Sequence, residues 1–100
     1  MTYLDESENI INAIIKEYKN SNKHIRRQAI NTADKFVSDG RMIALLAEAL
    51  KDNDVLVSSS AAHCLEQLKE TRLIPELAAL VDDSRAYVRR NAMEVLIFIS

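Results

Sequence analysis

"DNDVLVSSSAAHCLEQL", residues 52–68, and "DSRAYVRRNAMEVLIFI", residues 83–99, carry one pattern twice. Set 31 residues apart, they bring Asp52 onto Asp83, Val57 onto Val88, Ala61 onto Ala92 and Leu65 onto Leu96. Leu46 falls on Leu77 at the same spacing. At a spacing of 32 the first third of the chain joins them, with Ile25 on Val57, Ala29 on Ala61, Phe36 on Leu68 and Ile14 on Leu46. Acidic, small and apolar positions recur together, so the chain holds three copies of one unit. The copies span approximately 5–38, 39–70 and 71–100 of a single domain covering 1–100.

Each unit reads as two helices. One glycine and one proline in 100 residues are too few for the turns of a sheet protein, while Ala, Leu, Glu and Lys abound. Ile10, Ile11, Ile14, Ile15 and Tyr18 recur at helical spacing and predict a helix over 6–19, opened by a capping-box-like pair of Asp5 and Glu8. After the polar break "NSNK", Asn22 caps a second helix reaching about residue 37. Asp39 caps a third over about 40–51, with Gly40 relieving the joint. Asp54 caps a fourth over 55–69 and Thr71 a fifth, in whose first turn Pro75 is tolerated because the amides there have no helical acceptor. The sixth starts near Ser84 and runs to the end. Joints of two to four residues force antiparallel neighbours, so every unit is an α-hairpin.

The second helices carry broad apolar stripes: Ile25, Ala29, Thr32, Ala33 and Phe36; Val57, Ala61, Cys64, Leu65 and Leu68; Val88, Ala92, Val95, Leu96 and Ile99. A lone hairpin cannot bury stripes that face two sides, whereas hairpins stacked in a row can. The expected fold is all-α, a short solenoid of three stacked hairpins. The recurring Ala29, Ala61 and Ala92 let neighbouring helices approach closely.

Composition excludes several functions. A net charge of −2 gives no general attraction to nucleic acid or anionic membrane. Cys64 is the only cysteine, which rules out an intrachain disulfide and a multi-cysteine metal site. No secretory leader pattern opens the chain, and no apolar run approaches the roughly 18 residues of a membrane span. The expected location is cytoplasmic.

An apolar helix, an Asp-rich turn, and a second helix opening on Val-Arg with spaced alanines resemble the HEAT repeat. The likeness is particularly to the short HEAT-like repeats of bilin-lyase-related proteins, and it extends over essentially the whole chain. It implies a scaffold or binding surface rather than a chemistry. It also implies that the turn Asp and the Arg after the Val brace the stack, which assigns Arg26, Asp52, Asp83 and Arg89 to that role. Asp83 and Arg89 would pair in the third unit. Asn20 replaces the Asp in the first unit and Ser58 the Arg in the second, leaving Asp52 to meet either Arg26 or Arg89 across the stack. Arg90 lies about 100° round the helix from Arg89. It aligns with Arg27 and Ser59, next to a row of Asn31, His63 and Glu94, with Lys35 and Gln67 beyond. The resemblance places second helices on the inner face of such arrays. Arg27, Asn31, Lys35, His63, Gln67, Arg90 and Glu94 are therefore the candidate partner-binding residues.

No catalytic set, metal site or cofactor is read from the residues. His63 and Cys64 are adjacent, so on a helix they point in different directions, and Cys64 falls on the apolar stripe as a core residue. The carboxylates Asp5, Glu6 and Glu8 suit a helix start, where the dipole favours them. The expected function is that of a non-enzymatic protein-interaction module: an adaptor, inhibitor or assembly factor. One alternative is a grip on a nucleic-acid backbone by Lys23, Arg26, Arg27, Lys35, Arg85, Arg89 and Arg90 of the outer units, which the serines and acids between them interrupt. Another is an accessory subunit of a lyase-type enzyme. The apolar ending "VLIFIS" adds the expectation of a self-contact or partner contact at the last helix.

Overall fold

A computed structural model describes residues 3–99, with side chains from Glu6 onward. The described residues form helices and turns without a strand: α1 (Tyr3–Tyr18), α2 (Lys23–Ala33), α3 (Gly40–Ala49), α4 (Val55–Leu68), α5 (Ile74–Leu80) and α6 (Ala86–Ile99). Short 3-10 turns at Asp34–Phe36 and Thr71–Leu73 extend α2 and precede α5. The pairs α1/α2, α3/α4 and α5/α6 are antiparallel hairpins. The second helices pack side by side, α4 lying between α2 and α6. The result is a flat, elongated slab of 45 × 29 × 16 Å.

Side-chain caps start three of the helices. Asn22, Asp39 and Asp54 hold extended backbone and accept the amides of His24, Arg41 and Leu56 respectively, which have no carbonyl behind them. Two expected caps are corrected. The backbone of α1 is already helical from Tyr3, so Asp5 lies inside the helix, and its side chain is outside the described residues. Glu70, not Thr71, accepts from the Arg72 amide, because the chain enters α5 through a 3-10 turn that begins at Thr71. Gly40 has negative φ, and a Cβ there would meet nothing within 4 Å, so the joint does not require glycine. The left-handed residue is Lys69, φ 50°, which ends α4.

The core runs through all three hairpins. Ile14, Ala29, Leu46, Val57, Ala61, Leu65, Leu77 and Ala92 are buried, as the repeat pattern requires. Thr32 is an exception to its stripe: it is exposed and returns its hydroxyl to the Gln28 carbonyl. Ile30, absent from the expected stripe, is fully buried. The stripe on α2 is rotated toward α4 because only that side of the first unit has a neighbour.

Candidate functional site

The junction between the first two units is built around Asp52. Arg26 donates to it in a fork, Nε to Oδ2 at 3.0 Å and Nη2 to Oδ1 at 3.0 Å. Tyr18 adds its hydroxyl to Oδ2 at 2.9 Å, and the Asp54 amide donates to Oδ1 at 2.8 Å. The remaining guanidinium nitrogen of Arg26, Nη1, donates to the carbonyls of Asn20 and Ser21 at 3.0 and 2.9 Å. Burial pushes the Asp52 carboxyl up, but the donors from Arg26, the Asp54 amide and Tyr18 outweigh it and leave its pKa below the usual carboxylate range. The Tyr18 phenol moves the other way, raised by burial and by its bond to Asp52.

The second junction lacks this pair. Ser58, standing where the first unit has Arg26, is fully buried and donates to the Leu50 carbonyl at 2.7 Å. Asn91 of α6 donates to the Ser58 hydroxyl at 2.9 Å. Asp83 turns to its own neighbour Arg85, accepting Nε at 2.9 Å and Nη2 at 3.0 Å, and that bond holds its pKa down at about 2. The guanidinium so oriented reaches back to the Lys51 carbonyl at 2.7 Å, while the Tyr87 hydroxyl donates to the Asp52 carbonyl at 2.6 Å. Neutral hydrogen bonds and one acid–arginine clasp replace the partly buried ion pair of the first junction.

On the outward side of α2, α4 and α6, the seven candidate partner-binding residues Arg27, Asn31, Lys35, His63, Gln67, Arg90 and Glu94 are all exposed. Two hollows lie between these helices. One, of about 440 Å³, is lined by Ser59, His63, Glu66, Arg90 and Glu94 among others. The other, of about 300 Å³, is lined by Arg27, Asn31, Ser59, Ser60 and His63 among others. His63 and Ser59, both on α4, border both hollows. Arg27 is steadied by a bond from its Nε to the Ser60 hydroxyl at 3.1 Å. Arg90 and Glu94 have no hydrogen-bond or ion-pair partner among the described residues. Lys35 and Gln67 stand outside both linings, although Gln67 lies 3.4 Å from the His63 ring.

A family model for HEAT repeats matches residues 10–97. The chain belongs to the HEAT repeat family. No curated protein matches the sequence significantly.

The HEAT brace therefore runs from the Arg of one unit to the Asp of the next, Arg26 to Asp52. The expected pairing of Asp83 with Arg89 inside the third unit is corrected. Arg89 donates to the main-chain carbonyls of Asp83 and Ser84, and the Asp83 carboxylate belongs to Arg85. The reason is direction: Arg26 reaches its own turn with Nη1 and the following unit with Nε and Nη2, and Arg89 likewise turns Nη1 to its own turn's carbonyls. Asn91, Tyr18 and Arg85 were not legible as junction residues. A local signal does exist for Arg85. "DGR" at 39–41, "ETR" at 70–72 and "DSR" at 83–85 each fold into an acid–arginine clasp two residues apart. Arg41 uses its clasp to reach Glu8 of α1 at 2.7 Å, as Arg85 uses its own to reach Lys51.

The Cys64 thiol is buried, and burial with the nearby Asp34 pushes its pKa up to about 12, so little thiolate forms at neutral pH. The adjacent His63 side chain is exposed, about 100° round the helix. Among the described residues no three His, Cys, Asp or Glu side chains gather into a metal-binding group, and no helix is long and apolar enough to cross a membrane.

Proposed function

We propose that this HEAT protein is a non-enzymatic binding module that holds a protein partner along the outward face of α2, α4 and α6. The observation that carries this reading is that Arg90 and Glu94, both exposed, line with His63 one of two neighbouring hollows. Neither charge is engaged among the described residues, so neither must leave such a partner to bind an external one. Alternating signs suit a polypeptide surface that offers both an acid and a base.

The rival reading, a grip on a nucleic-acid backbone, has fewer available cations than the sequence offers. Arg26 and Arg85 are neutralised by Asp52 and Asp83, and Lys23 lies 3.7 Å from Asp54. Glu66 and Glu94 line the same hollow as Arg90 and repel phosphate. As adaptor, inhibitor or assembly factor, the module would work by presenting this face.

Arg90→Glu reverses one charge in the hollow without touching the core. Nuclease-treated lysate passed over the immobilised wild-type chain should yield a stoichiometric protein that the variant fails to retain. The melting temperature of the variant should stay within about 2 °C of wild type, as for surface changes. Binding that survives Arg90→Glu, or retention that vanishes with nuclease, overturns the proposal.

A further inference from the structure

The two hollows differ in chemistry. The one between α4 and α6 holds Glu66 and Glu94 beside Arg90. The one between α2 and α4 is lined by Arg27, Asn31, Leu56, Ser59, Ser60 and His63, with no carboxylate among them. Every polar side chain in that lining can donate a hydrogen bond, and Arg27 brings a permanent charge. The guanidinium is also held in place. Its Nε donates to the Ser60 hydroxyl at 3.1 Å, while Nη1 and Nη2 meet no acceptor among the described residues. Those two nitrogens form an edge that pairs with both oxygens of a carboxylate. A side chain already anchored at Nε gives up less freedom when that pair forms. Leu56, at the same hollow, is 50% exposed and adds an apolar contact beside the charge.

We infer that the hollow between α2 and α4 receives an acidic side chain of the protein partner, Asp or Glu, next to an apolar residue that covers Leu56. The inference rests on the groove reading above and names the partner's chemistry at one end of it. One guanidinium matches the single charge of a carboxylate. A phosphate carries nearly two, and Glu66 and Glu94 in the neighbouring hollow oppose the second. Leu56 selects a polypeptide segment over a small free anion, because only a chain brings an apolar side chain together with the acid.

The blocked peptide Ac-Gly-Leu-Glu-Leu-Gly-NH2, whose one carboxylate is its side chain, is the probe, with the Gln peptide as its neutral counterpart. Titrated into the isotope-labelled chain, the Glu peptide should shift the Arg27 Nε–H and Ser60 amide signals and bind about tenfold more tightly than the Gln peptide. Arg27→Gln should abolish that difference, and Arg27→Lys, which keeps the charge but not the fork, should restore only part of it. Leu56→Ser should weaken both peptides about threefold. Arg27 and Leu56 are exposed, and an unchanged amide spectrum elsewhere confirms the fold of each variant. Arg90→Glu, the variant that tests the groove, should leave the preference for Glu in place. Equal binding of the two peptides, no shift at Arg27, or a preference that follows Arg90 instead overturns the inference. If the lysate yields no protein while the Glu peptide binds at Arg27, the groove reading falls and the carboxylate site stands. If a protein is retained through Arg90 and the peptides bind equally, the carboxylate inference alone falls.

Discussion

Asp52 is the residue on which the stack turns. Its side chain is only 4% exposed and Arg26 is 13% exposed, so the pair is a partly desolvated ion pair rather than a surface one. Removing one member leaves the other charged and buried. Asp52→Ala should therefore destabilise the protein by about 3 kcal/mol in denaturant unfolding, well beyond an exposed pair such as Arg41–Glu8. The same group sets an acid dependence. Its folded pKa lies below the value of a free carboxylate, about 3.9, so the unfolded chain takes up the proton first as pH falls. Stability from Asp52 is fully present above that value and is lost as pH drops through it toward the folded pKa. Melting curves between neutral pH and the acid range should show this decline, and Asp52→Asn should flatten it. Both partners were expected as brace residues through the resemblance to the HEAT repeat, which assigns that role to the turn Asp and the Arg after the Val. Asn91 and Tyr18 were not. A lone amide or phenol has no periodic signature, and only the neighbour placed opposite gives it a role.

At the scale of the elements, the helix starts were readable and the ends were less so. Asn22, Asp39 and Asp54 announce helices because a short side-chain acceptor satisfies amides that nothing else can reach. The ends of α2, α3 and α5 stay right-handed and carry no left-handed signal, while α4 ends on left-handed Lys69 rather than on the lone glycine. A side chain with a Cβ is strained in that conformation. Lys69→Gly should stabilise the protein by about 1 kcal/mol, measured by thermal unfolding. The exposed bond from Lys69 Nζ to the Phe98 carbonyl, lost in that variant, is minor by comparison. Thr32 shows the limit of periodicity at this scale. Spacing put it on the stripe of α2, but the stripe is as wide as the neighbour that covers it, and on that flank there is none.

For the whole molecule, the closeness of the second helices matters more than any one polar contact. Ala29, Ala61 and Ala92 are completely buried at one repeat position, so their small size sets how near α2, α4 and α6 can lie. Ala61→Leu should force α4 away from its neighbours and cost about 2 kcal/mol through overpacking, with a visible loss of cooperativity in the melt. The repeat by itself determined the class, the number of hairpins and the small residues between them, since 31- and 32-residue periodicity in apolar, small and acidic positions permits one way of burying every stripe. It also singled out a polar row on the second helices, and all seven of those residues are exposed. Only the tertiary structure decided which charges are engaged and which remain available. Arg26 and Arg89 are the same residue at the same repeat position, yet one closes on a carboxylate and the other does not. That difference lies in the unit packed beside each, which no local sequence contains.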